Sequence, residues 1–89
     1  MSMDALMDQN SALRFVAEAV EEVAGIPAEE VAPDKSLVDD LGIDSLSMVE
    51  IAFTLQRQAG DEIPDESLAT ITTVQDLVDL VRERVEHTP

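Results

Sequence analysis

"LGIDSLSMVEIAFTLQRQ", residues 41–58, decides the fold. With Leu46 at zero and successive residues about 100° apart, Glu50, Thr54, Ser47, Arg57 and Gln58 fill an arc of roughly 20° to 120°. Met48, Ile51, Ala52, Leu55 and Ala59 gather on the other side, as one face of a helix buried in a core would. Leu46, Val49 and Phe53 form a second apolar stripe, separated from the first by Gln56. The segment from Ser45 to about Gln58 therefore reads as a helix with more apolar surface than one core face needs. Two readings of the excess remain open: a central helix packed on both sides, or a partner-facing patch of Leu46, Val49 and Phe53 rimmed by Glu50.

The same period recurs in two other segments. "SALRFVAEAVEEVA", 11–24, sets Leu13, Val16, Ala19, Val20 and Val23 opposite Arg14, Glu18, Glu21 and Glu22, and is stopped by Gly25 and Pro27. "TTVQDLVDLVRERVEH", 72–87, sets Val74, Leu77, Val78, Val81 and Val85 on one face. Thr72 with Gln75 fits a capping box, and Arg82, Arg84 and His87 stand near the negative end of the helix dipole. "DEIPDESLATI", 61–71, leaves room for one or two helical turns anchored by Leu68 and Ile71. Sustained period-2 alternation is missing, so no strand is expected. The expected fold is all-α: a small four-helix bundle with a long loop between helices 1 and 2 and a short helix 3. That loop, "GIPAEEVAPDKSLVDDLGID", 25–44, should be pinned by Ile26, Val31, Leu37, Leu41 and Ile43, with a helical turn at "SLVDDL". Residues 1–10 read as a flexible extension and 11–87 as the folded domain.

Composition removes whole classes of function. Eighty-nine residues make one small domain without space for a deep catalytic cleft. A formal charge of −15 with only five Lys and Arg repels nucleic acid and anionic membranes and favours proteins with basic patches. The absence of cysteine and the single histidine, His87, remove disulfides and ordinary zinc sites. Acid clusters such as Asp39-Asp40 and Asp61-Glu62 lack the spacing of an EF-hand loop, so no dedicated metal site is expected. No signal peptide or membrane span is evident, and a cytoplasmic protein without stable membrane insertion is expected.

Ser45 is the residue that demands an explanation. It has no nearby base, which rules against a serine hydrolase. In its plainest role it is a small first-turn residue behind Asp44, the helix cap. The alternative is a modified serine: Gly42 loosens the approach, Ile43 can anchor it, and the helix N-terminus would stabilise a phosphate on its hydroxyl.

"DDLGIDSLSMVEI", 39–51, resembles the prosthetic-group attachment motif of the acyl carrier proteins, and "IPDE", 63–66, and "TTVQ", 72–75, are similar to later segments of that family. The resemblance implies a carrier rather than an enzyme. A phosphopantetheinyl transferase would place 4'-phosphopantetheine on Ser45, with Asp44 helping to present it, and the arm's thiol would hold acyl groups as thioesters. Leu46, Val49, Glu50 and Phe53 would meet the partners. These would be the transferase and the basic patches of ketosynthase, reductase, dehydratase and acyltransferase enzymes of fatty-acid synthesis, served by a monomeric carrier. A discrete carrier for polyketide or non-ribosomal peptide assembly is the alternative within the family, and an unmodified acidic helical adaptor the alternative outside it. Ser47, Gln56 and Arg57 depart from the acids common in the family's second helix, which bears on partner choice. Ala59 and Gly60 stand where a bulky aromatic followed by a polar residue is frequent in that family, so either the core is roomier there or helix two ends earlier, and an acyl cavity between helix two and the last helix is expected.

Overall fold

The structure is a computed structural model that describes residues 8–60, 63 and 65–86. Among the described residues there are four α-helices: α1, Gln9–Ala24; α2, Ser45–Ala59; α3, Asp65–Leu68; and α4, Val74–Glu86. No strand occurs among the described residues; the only β-type pairing there is an isolated antiparallel bridge between Ser36 and Thr73. The all-α bundle with a long first loop and a short third helix is the architecture expected from the periodicity.

α1 holds the bundle together, packing against both α2 and α4, while α3 packs on α2. Ala12, Val16, Ala17, Ala19 and Val20 of α1 are buried, and they meet Ile51 and Leu55 of α2 and Val74, Leu77, Val78, Leu80 and Val81 of α4 in one core. The small alanines of α1 let its backbone approach two neighbours at once. α2 thus has packed neighbours of its own in α1 and the short α3, while the helix flanked by two long neighbours is α1. Leu13 and Val23 are half-buried at the edge of the α1 face.

Two helix boundaries and the burial of one residue differ from expectation. α1 begins at Gln9, two residues early, because Asp8 serves as its N-cap, its Oδ1 accepting the Ser11 N–H at 2.8 Å. Residues 9 and 10 thus belong to the helix rather than to a flexible extension, and residues 1–7 lie outside the described residues. The capping box of α4 is shifted by one residue. Thr73 Oγ1 accepts the Asp76 N–H at 3.2 Å, while Asp76 Oδ2 accepts the N–H groups of Thr73 at 3.1 Å and Thr72 at 2.9 Å. Gln75 instead exchanges amide hydrogen bonds with Gln9 and donates to Asp79 Oδ1 at 2.8 Å. Thr54, placed on the polar arc of α2, is buried, and its hydroxyl oxygen accepts a long bond from Arg57 Nη2 at 3.4 Å. The side chains of Ala59, Arg84 and Val85, and all of Asp61, Glu62 and His87, lie outside the described residues.

The long loop is anchored as its apolar residues suggest: Val31, Leu37 and Ile43 are buried, with Ile26 and Leu41 packed at the edge of the core. A short 3₁₀ turn at Ala28–Glu30 adds an element that the periodicity does not reveal. The loop also ties to the start of α4, where Leu37 N–H donates to Thr72 O at 3.0 Å and Val74 N–H to Lys35 O at 2.9 Å. These bonds give the backbone of an irregular segment the partners it would otherwise take from water. They also fix the loop that delivers the chain to α2.

Candidate functional site

The approach to Ser45 is built from a helical turn and a chain reversal. Ser36 and Asp40 brace the turn at "SLVDDL": Ser36 N–H donates to Asp40 Oδ2 at 2.7 Å, and Asp39 N–H donates to Ser36 Oγ at 3.1 Å. The turn ends at Gly42, whose φ of 69° lies in the left-handed region and whose N–H donates to Val38 O at 3.1 Å. Only a residue without Cβ enters that conformation freely. Ile43 then drives into the core and donates its N–H to Leu37 O at 2.9 Å. A buried Ile43 followed directly by an exposed Asp44 and Ser45 sets α2's first residue at the surface.

Asp44 is the N-cap of α2. Its Oδ1 accepts the Ser47 N–H at 2.9 Å, and its own carbonyl accepts the Met48 N–H at 3.0 Å. The hydrogen bond from the Ser47 backbone holds the Asp44 carboxyl below the usual aspartate range, so it is ionised at neutral pH. Ser45 follows as the first helical residue, exposed, at the positive end of a 15-residue helix dipole. The first-turn N–H groups of Ser45 and Leu46 have no intrahelical acceptor, which suits a phosphate oxygen.

Beside Ser45 runs a mostly apolar groove of about 440 Å³, lined by Leu37 and Val38 of the loop, Ser45, Met48 and Val49 of α2, and Leu68, Ala69 and Ile71 of α3 and the turn after it. Its size is that of an ordinary small-ligand cleft. No residue of α4 lines it: this groove is bounded by the loop, α2 and the α3 region, not by helix two and the last helix. A smaller cleft of about 280 Å³ does lie against α4, but Ser67, Thr70, Asp76, Asp79 and Glu83 make much of its lining polar.

The second apolar stripe of α2 is exposed. Leu46 is 69% accessible, Phe53 56% and Val49 39%, and Glu50 is exposed at their rim. Val38, 60% accessible on the adjoining loop, extends this apolar surface along the groove. Sequence reasoning misses Val38, although one signal is present: in the turn at "SLVDDL" it stands about 100° from Leu37, which faces the core. Gln56, which interrupts the apolar pattern of α2, has a tertiary role: its Oε1 accepts the Ile63 N–H at 2.7 Å and ties α2 to the segment entering α3. Among the described residues no group of three or more His, Cys, Asp or Glu is arranged to hold a metal, and no helix is long and apolar enough to cross a membrane.

Residues 14–81 match the family described as "Phosphopantetheine attachment site". Over 68 residues, 76% of this chain and 86% of the relative, the sequence is 54% identical to the acyl carrier protein of Thermobifida fusca. It is 48% identical over 81 residues, 91% of this chain and 70% of the relative, to the meromycolate extension acyl carrier protein of Mycobacterium leprae. It is 43% identical over 75 residues, 84% of this chain and 89% of the relative, to the acyl carrier protein of Acidothermus cellulolyticus. An exposed helix-start serine beside an apolar groove is thus found within a chain that belongs to the acyl carrier protein family, the carriers of phosphopantetheine.

Proposed function

We propose that Ser45 is the attachment point of 4'-phosphopantetheine and that the chain shuttles acyl groups between enzymes of fatty-acid synthesis. The observation that supports this most strongly is the placement of an exposed hydroxyl at the N-terminus of α2, directly on the rim of an apolar groove. Modification forms a bond from Ser45 Oγ to the phosphorus of coenzyme A's pantetheine phosphate. It breaks that phosphate's link to the nucleotide and releases adenosine 3',5'-bisphosphate as the hydroxyl proton leaves. The N–H groups of Ser45 and Leu46 face the added charge favourably. Asp44 presents the serine to the transferase. One of its carboxylate oxygens accepts the helix-cap N–H, and the ionised group would help hold the Mg²⁺ that assists transfer.

Once attached, the group supplies a thiol that forms thioesters, chemistry this cysteine-free chain lacks. The chain itself supplies position and shelter. Leu37, Met48, Val49, Leu68 and Ile71 offer apolar contact to the arm or its cargo, keeping water from one side of it. The protein is a monomeric, cytoplasmic carrier and not a catalyst. Its partners are the phosphopantetheinyl transferase and the ketosynthase, reductase, dehydratase and acyltransferase enzymes, drawn by basic patches to a surface of net charge −15. The relatives named for meromycolate extension favour a chain-elongating pathway.

Intact mass before and after incubation with coenzyme A, Mg²⁺ and a broad-specificity phosphopantetheinyl transferase tests the proposal. A gain of one phosphopantetheinyl group, lost in Ser45→Ala, is expected. No gain by a sample shown to be unmodified, with a transferase active on another carrier, would leave an acidic helical adaptor as the better account.

A further inference from the structure

The exposed face of α2 has mixed charge. Taking Leu46 as zero again, Glu50 stands at about 40°, Arg57 at about 20° and Phe53 at about 340°, so all three share one strip of the helix with Leu46. Glu50 and Arg57 are two turns apart, about 10.5 Å along the axis, with exposed Phe53 between them. Arg57 is the only cation in α2 and one of five in the whole chain. Its guanidinium makes a long 3.4 Å contact with Thr54 Oγ1, and the residue is exposed.

Such a strip is a poor match for a uniformly basic surface. A partner that covers Leu46 and Phe53 meets Arg57 as well, because these three lie within about 40° of one another and Arg57 stands one turn beyond Phe53, while Val49 flanks the strip about 80° round from Arg57. A lysine or arginine opposite Arg57 would set like charges together beside an apolar contact, where they repel strongly. A carboxylate opposite Arg57 would turn the same position into an attractive pair.

We infer that the chain-extending ketosynthase recognised by this carrier has a three-part docking surface: a basic residue for Glu50, an apolar socket for Leu46, Val49 and Phe53, and an acidic residue about 10 Å further on for Arg57. This inference rests on the carrier reading above. Arg57 acts in it as a selector: it admits synthases with that acid and rejects those whose patch is basic throughout.

The test uses protein already shown by mass to bear phosphopantetheine, so failure of the carrier reading would appear earlier, as absence of modification. The Michaelis constant of the source organism's own ketosynthase for the acylated carrier is measured with wild type, Arg57→Gln and Arg57→Glu. Turnover of a free acyl-pantetheine thioester serves as the control for the enzyme. Arg57→Glu should raise KM roughly three- to tenfold with kcat unchanged, and Arg57→Gln should raise it less. Changing the facing acid of the synthase to Lys should restore Arg57→Glu and impair wild type. An unchanged or lowered KM for Arg57→Glu would overturn the inference, and so would a rise that no acid-to-lysine change in the synthase's docking surface relieves.

Discussion

α1 and α2 are built to the same local plan and differ in what they bury and expose. Each starts behind an aspartate whose carboxylate accepts the N–H of a serine three residues on: Asp8 from Ser11 at 2.8 Å, Asp44 from Ser47 at 2.9 Å. Each ends in Ala-Gly, with Gly25 at φ 76° and Gly60 at φ 75°, and each glycine N–H closes the last turn on a carbonyl four residues back. The ends therefore do not distinguish the two helices. The difference lies in the first helical residue and in the faces. In α1 that residue is Gln9, held by Gln75 of α4, and the helix packs against two long neighbours. In α2 it is Ser45, exposed beside a groove, and the helix leaves Leu46, Val49 and Phe53 at the surface.

The sharpest break in the parallel is expected at the first residue. Ser45→Ala should abolish phosphopantetheinylation completely, as read by intact mass, while its circular dichroism and melting temperature stay near wild type. Gln9→Ala should leave modification intact. A Ser45→Ala protein that still gains the group would move the attachment site elsewhere and undo the functional contrast between the helices.

The two faces of α2 should separate just as clearly. Leu55 is fully buried, so Leu55→Ala should cost about 2–5 kcal/mol, lowering the melting temperature by about 10 °C or more for a domain of this size. Phe53→Ala removes a larger side chain from an exposed position and should cost about 0.5 kcal/mol or less. Its effect should appear instead as weaker partner-enzyme kinetics. If Phe53→Ala proved as destabilising as Leu55→Ala, the exposed stripe would be a packing surface after all.

The shared C-termini predict a smaller and equal effect. Gly25→Ala and Gly60→Ala each force a Cβ into the left-handed region without a steric neighbour, since nothing lies within 4 Å of the space a Cβ would take at either glycine. Each should cost about 1 kcal/mol through backbone strain alone. Thermal melts of the two variants should agree closely, and a clear excess at Gly60 would show that the segment leading into α3 depends on it.

How much of this is legible in the sequence follows from what each feature depends on. Asp44, Ser45 and the two stripes of α2 are local: they follow from a 100° step and a capping residue, so periodicity finds them. The start of α1 is hidden because Gln9 and Asn10 are polar and look like a tail, although Asp8 with Ser11 repeats the pattern of Asp44 with Ser47. The α4 box is easily misplaced by one residue because "TTVQD" offers two overlapping pairs, and the carboxylate of Asp76 competes better for N–H groups than the amide of Gln75. Thr54 reads as polar surface, yet a β-branched methyl packs well and one hydroxyl needs only one partner. The groove is out of reach, since Val38, Met48 and Ala69 come from three segments that only the tertiary fold brings together.

The smallest effect tests the N-caps themselves. Asp8 and Asp44 both have carboxyls held below the usual aspartate range, in each case chiefly by the backbone hydrogen bond of the capped serine. A depressed folded-state pKa means that the stabilisation is fully present above the unfolded value, near 3.8, and is lost as pH falls through the folded one. Melting temperature should therefore fall as pH drops below about 4. Asp8→Asn and Asp44→Asn retain a capping oxygen but cannot titrate, so each should flatten part of that acid limb while changing little at neutral pH. Because the two caps have the same geometry and exposure, the two variants should flatten it alike apart from a small excess at Asp8, whose carboxylate is also favoured by the charge of Arg82. A markedly larger change for Asp44→Asn would mean that Asp44 does more for the free protein than cap a helix, beyond what it shares with Asp8.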